Sequence, residues 1–187
     1  MNSVLATKTL PEHLTGTWKA DPAHSEVAFS VRHLMVSNTR GRFTSYDVTI
    51  VATEDPLRSS VTATIDLASV DTGLEMRDEH LRSADYLDVE KYPTMSYRSA
   101  AVRPTDDGWV IDGELTLHGV TRPVPLTVEA HGVGVDPWGN QRAGFSATAQ
   151  ISRRDFGIDT SIPMDGGGVV VADKVSISLE IEAVRQQ

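Results

Sequence analysis

Six histidines, His13, His24, His33, His80, His118 and His131, are the side chains best suited to proton transfer or metal ligation at neutral pH. No two of them stand at the short spacing that would put both on one strand face or one helical turn. A zinc or iron centre would have to be assembled from distant strands, so no metal site is expected. The densest charged run is Arg77-Asp78-Glu79-His80-Leu81-Arg82. A carboxylate beside His80 could serve as a general base. No nucleophile or metal accompanies it, and the run reads as a salt-bridged, solvated helix with Leu81 turned inward. His33 differs, because it continues an apolar stripe through Phe29 and Val31. It is either a strand-end histidine bonded to backbone or a polar contact for a ligand head group at the mouth of a cavity.

Other chemistries find no support. There is no Gly-x-Ser-x-Gly elbow, no phosphate loop and no dinucleotide fingerprint, so no cofactor is implied. The glycines at 166–168 follow Asp165 and precede Val169 to Ala172 rather than a helix, which marks a turn. With no cysteine, disulfides and thiolate chemistry are excluded. The 26 acidic against 17 basic residues give a formal charge of -9, which repels phosphate backbones and argues against a nucleic-acid partner. The segment Met1-Asn2-Ser3-Val4-Leu5-Ala6-Thr7-Lys8 lacks the basic start and the apolar run of about 7–15 residues of a secretory signal. No stretch approaches the roughly 18 apolar residues of a membrane span, so a cytoplasmic protein is expected.

The elements that would position these residues are strands. Apolar and polar residues alternate through Val27–His33, Tyr46–Ala52, Val61–Leu67, Met95–Ala101, Trp109–Leu117, Val124–Ala130, Ala143–Ile151 and Val175–Ala183, with a short strand expected over Gly16–Asp21. Turn formers such as Asp106-Asp107-Gly108 and Asp136-Pro137-Trp138-Gly139-Asn140 separate them. The period of two breaks only at residues 74–88, where Leu74, Arg77/Asp78 and Leu81 suggest a short helix ending before Pro93. The 187 residues fit one domain, with residues 1–15 as a loosely packed N-terminal extension. Strands with one apolar face must pair as two sheets or close into a barrel, and the pattern fits both. The few aromatics, Phe29, Phe43, Tyr86, Tyr97, Trp138, Phe145 and Phe156, fall on the inner stripes or at strand–loop junctions.

Several blocks, taken in order, resemble the YceI family of lipocalin-like lipid-binding proteins. They are Trp18-Lys19-Ala20-Asp21-Pro22-Ala23-His24-Ser25, Phe29-Ser30-Val31-Arg32-His33-Leu34 with Gly41-Arg42-Phe43, Ser69-Val70-Asp71-Thr72, and Arg77 to Asp88. Tyr92-Pro93, Gly113 to Val124, Asp136-Pro137-Trp138-Gly139, Arg142-Ala143-Gly144-Phe145 and Asp155-Phe156-Gly157 follow. The resemblance implies an all-β fold, an extended antiparallel barrel of about eight strands. It also implies a non-catalytic role in binding, storing or transporting a polyisoprenoid, isoprenoid quinone or fatty-acyl lipid. The positions that would line the pocket are Phe29, Val31, His33, Phe43, Leu81, Tyr86, Leu87, Tyr97 and Phe145. Family members often carry a periplasmic signal, from which this chain departs. An exposed sheet edge would favour a homodimer. Two other readings stand beside this one: a barrel enzyme, isomerase or hydrolase, using His33 or His80 with a carboxylate, and a solidly packed structural module.

Overall fold

Strands that alternate in polarity have one face to hide. The computed structural model, which describes residues 14–187, hides that face inside a closed ring. In chain order the strands are β1 (Gly16–Ala20), β2 (Glu26–His33), β3 (Ser37–Phe43), β4 (Tyr46–Ala52), β5 (Ser60–Asp66) and β6 (Val70–Asp71), followed by helix α1 (Glu75–Arg82). Then come β7 (Thr94–Thr105), β8 (Gly108–Leu117), β9 (Val120–Pro123), β10 (Leu126–Val135), β11 (Gln141–Ser152) and β12 (Val171–Arg185). Eight of them form the antiparallel ring β1-β4-β5-β7-β8-β10-β11-β12, closed where Trp18 of β1 lies opposite Arg185 of β12.

The same edge of β12 carries a second partner. Its residues Val171–Glu180 pair with β2, and β3 and then β6 continue the sheet outward from there. The corner Asp21–Ser25 takes the chain from β1 to β2, so the barrel is a ring at one end and flares at the other. The N-terminal extension expected at residues 1–15 lies outside the described residues up to position 13. At its described end, the Leu14 carbonyl accepts the indole N–H of Trp18 at 3.2 Å.

Departures from the sequence pattern have local causes. β3 reads Ser-Asn-Thr-Arg-Gly-Arg-Phe and shows no apolar stripe, because it buries only Gly41 and Phe43. It is held instead by the β2 ladder from Val27↔Phe43 to His33↔Ser37. In β7 the register slips between Ser99 and Ala101, which leaves Ala100 as the extra residue of a bulge. Val102, not Ala101, therefore faces inward opposite Ile111. The helix expected over 74–88 covers only Glu75–Arg82. Ser83 turns extended, and the amides of Tyr86 and Leu87 bond back to the carbonyls of Ser83 and Leu81 as successive turns.

One glycine is fixed by a close approach across the barrel wall. A Cβ on Gly113 would stand 2.3 Å from the Tyr97 hydroxyl oxygen, which donates to the Val124 carbonyl at 2.9 Å. Burial pushes the Tyr97 hydroxyl up to about 12, so it stays a neutral donor. Gly113→Ala must displace that ring and break its hydrogen bond. The variant should lose about 1–3 kcal/mol, measured by urea unfolding at constant m-value, whereas Gly134→Ala, which meets open space, should not suffer this clash.

Candidate ligand-binding site

The inward stripes do not meet. They enclose an elongated cavity of about 480 Å³ lined by side chains from every ring strand and from β2 and β3. A cavity of that size lies in the usual range of small-molecule sites. Phe29 and Phe43 pack against one another across the β2–β3 hairpin with ring centroids 5.6 Å apart. Of the nine positions proposed from sequence, Phe29, Val31, Phe43, Leu81, Tyr86, Leu87, Tyr97 and Phe145 line this space. His33 does not. It ends β2, opposite Ser37 and Val171, and its carbonyl accepts the Val36 amide at 3.1 Å.

α1 and the turns after it bring Leu81, Tyr86 and Leu87 over the flared end. Part of the charged run clamps them there, while Glu79 and His80 are exposed and Arg82 pairs with Glu75. Asp78 is 3% exposed and accepts from the Thr72 amide at 2.9 Å and the Thr72 hydroxyl at 2.5 Å. Arg77 donates to the Thr72 hydroxyl and carbonyl, both at 2.7 Å. Arg82 reaches the carbonyls of Ala68 at 2.9 Å and Val70 at 3.2 Å. The solvated helix expected from sequence is thus corrected at Asp78, whose buried carboxyl accepts both Thr72 donors on one oxygen. His80 is on the outer face, bonded to exposed Asp85 at 2.9 Å, and is not among the cavity-lining residues.

At the ring-closed end, Arg142 gathers three carboxylates. It lies 2.8 Å from Asp21, 2.9 Å from Asp136 and 2.5 Å from Glu182. Asp21 also accepts from His24 at 2.9 Å, and Asp21, His24 and Glu182 hold their ligand atoms within 4.8 Å of one another, a spacing a metal ion could span. Arg142 already takes the carboxylate oxygens that a cation would use, which makes this group a latch across the β1–β2 corner. Its guanidinium, followed by His24 and the Ala23 amide, holds the Asp21 carboxyl at about 2 against an ordinary 3.8. Asp136 lies well below the usual carboxylate range through Asn140 and Arg142.

The cavity meets solvent beside this latch. The β8–β10 ladder ends at Val128, and β10 shifts register between Ala130 and Gly132. Ala130, Gly132 and Val133 are exposed and yet line the cavity, which places its mouth along this free stretch of β10. Val133 is 49% exposed, and Trp138 at the hairpin tip is 81% exposed.

A family model described as the YceI-like domain matches residues 18–183. The chain belongs to the YceI-like family. Protein YceI of Escherichia coli O157:H7 is 39% identical over 165 residues, covering 88% of this chain and 83% of that protein. Among solved structures, the YCEI protein of Campylobacter jejuni superposes with a TM-score of 0.72 at 29% identity, over 83% of this chain and 90% of that one. A polyisoprenoid-binding domain from Saccharophagus degradans, implicated in plant cell wall breakdown, shares the fold at a TM-score of 0.69 and 15% identity, over 90% of this chain and 98% of that one. YceI-like relatives therefore share the closed eight-strand architecture found here. Among the described residues, no helix is long and apolar enough to cross a membrane.

Sequence reasoning missed three kinds of lining residue in this YceI-like chain. Val102 was hidden by the β7 bulge, and Leu14 and Pro56 lie outside any alternating stripe. Arg153 is a charge in an apolar wall; its one signal was the adjoining Asp155-Phe156-Gly157 block. The latch yields a pH prediction. Because the Asp21 carboxyl is depressed on folding, its contribution is complete above pH 4 and is lost as pH falls from 3.8 towards about 2. Arg142→Gln should be less stable than the wild type at pH 7, and its unfolding free energy should fall less steeply between pH 4 and 2.

Proposed function

We propose that this protein binds a long apolar amphiphile, a polyisoprenoid, isoprenoid quinone or fatty-acyl lipid, inside its barrel, for storage or transport. The observation that carries this reading is the cavity itself: one elongated space in which every lining side chain but Arg153 is uncharged and nearly all are apolar. Phe29, Val31, Phe43, Leu81, Tyr86, Leu87, Tyr97 and Phe145 form the contact surface in this reading. Each methylene moved from water into such a space gains about 0.8 kcal/mol. A long chain is thus held by area alone, with specificity left to cavity length and to the polar end. The polyisoprenoid-binding description of the Saccharophagus degradans domain supports the same class of ligand. Neither His33 nor His80 is among the cavity-lining residues, which favours binding over an enzyme built on either histidine.

Organic extraction of the purified protein followed by mass spectrometry should release a stoichiometric prenyl, quinone or acyl species. An empty extract, from protein that also fails to take up added prenyl lipid, would overturn the reading. Phe145→Asp places a charge in the apolar wall and should weaken uptake of a fluorescent prenyl probe at least about tenfold, since an unpaired buried charge is strongly disfavoured. His80→Ala should leave uptake unchanged. Loss of uptake in that variant would put the α1 charges into the site.

A further inference from the structure

Among the described residues, the cavity wall contains one charged side chain. Arg153 is 4% exposed and sits in the single turn Arg153–Phe156 that follows β11. Its Nε donates to the Ala172 carbonyl at 3.0 Å, one Nη to the Ile158 carbonyl at 2.7 Å and the other to the Val171 carbonyl at 3.1 Å. A guanidinium carries five N–H groups, so these three bonds leave one on each Nη. The three acceptors are neutral dipoles, and Asp173 feels the positive charge without pairing with it.

Among the described residues, no carboxylate comes within ion-pair distance of Arg153, whereas Arg42, Arg82, Arg103, Arg142 and Arg154 each have one. Two acids adjoin its carbonyl partners, Asp159 and Asp173, and neither forms an ion pair with it; Asp173 accepts from the Ser152 hydroxyl at 2.7 Å and the Arg154 amide at 3.1 Å. A buried charge is costly unless paired, and buried arginines are normally met by an anion. Among the described residues Arg153 has none within ion-pair distance, and it borders the apolar cavity.

Position adds direction. Ala143 on β11 stands opposite Val133 at the mouth, and Arg153 follows the other end of the same strand, roughly 30 Å away at about 3.4 Å per residue. We propose that Arg153 anchors the anionic head group, carboxylate or phosphate, of an amphiphile that lies head-first in the barrel with its tail towards Val133. This inference rests on the lipid-binding reading and adds to it the charge and the orientation of the ligand. A purely structural Arg153, pinning the 158–172 segment to the end of β11, predicts no dependence on head-group charge.

The test compares matched pairs of one tail and two heads: farnesyl phosphate with farnesol, and palmitate with hexadecanol, by titration against the intrinsic fluorescence of delipidated full-length protein. The wild type should bind at least one anion about tenfold more tightly than its alcohol, the scale of a charge-assisted hydrogen bond. The pair that shows the preference identifies phosphate or carboxylate as the head. Arg153→Gln should erase the preference while leaving alcohol affinity within about threefold, and Arg153→Lys should retain part of it. Alcohols bound as tightly as anions by the wild type would overturn this inference and leave the lipid-binding reading intact, whether or not the variants fold. Protein that takes up none of the four probes would overturn both. A preference that persists in folded Arg153→Gln would place the anion elsewhere and overturn the assignment.

Discussion

Everything in this barrel depends on the way one edge of β12 is shared. Its last residues close the ring against β1, and its earlier ones pair with β2, which belongs to a separate flap of sheet. A continuous strand in place of β1 and β2 would make an ordinary barrel. The break at Asp21–Ser25 lets the chain close tightly around Trp18, Ala143 and Ala183 at one end and open at the other. The Ser25 hydroxyl accepts the Glu182 amide at 3.0 Å, and the Asp21 amide donates to the Glu182 carbonyl at 2.8 Å, so the corner takes up the backbone groups of β12 that neither strand reaches. Arg142 then draws Asp21, Glu182 and Asp136 together over the same point.

The two ends solve opposite problems. At the ring-closed end the charges are external and paired, and the free stretch of β10 leaves a passage to the interior. At the flared end the sheet cannot close, because β3 and β6 have no further strand to meet. A helix one face wide fills that gap; Asp78 accepts from Thr72, while Arg77 and Arg82 donate to the carbonyls of Thr72, Ala68 and Val70. Polar clamps on the outside free the inner face of α1 to offer only Leu81 and the turns beyond it to offer Tyr86 and Leu87. The interior stays apolar because the strands alternate, and it stays partly empty because an eight-strand ring is wide enough to hold one small ligand. Alanines on the inner stripes, at 63, 143 and 147, keep the space from filling.

The strands that alternate were legible in the sequence, and so were most of the cavity walls, from Phe29 and Val31 through Phe145. The middle strand of the flap, β3, was not, because it takes its place from its hairpin with β2 and carries a polar sequence. His33 shows the same limit from the other side: it extends an inner stripe by spacing, yet the cavity ends before it. Val102 and Ala101 exchange faces through a single extra residue, and no composition reports a bulge.

The sequence by itself determined that this chain forms antiparallel strands with one apolar face, that the face is built from named stripes, and that a short charged helix interrupts them. Its ordered blocks also pointed to the family. Only the tertiary structure decided which eight strands make the ring, where the ladder between β8 and β10 stops, and that Arg153 stands alone as a charge in an apolar wall. The physical reason is that alternation is a property of one strand and its own side chains. Register, closure and the pairing of a buried charge are properties of neighbours that the chain brings together from far apart.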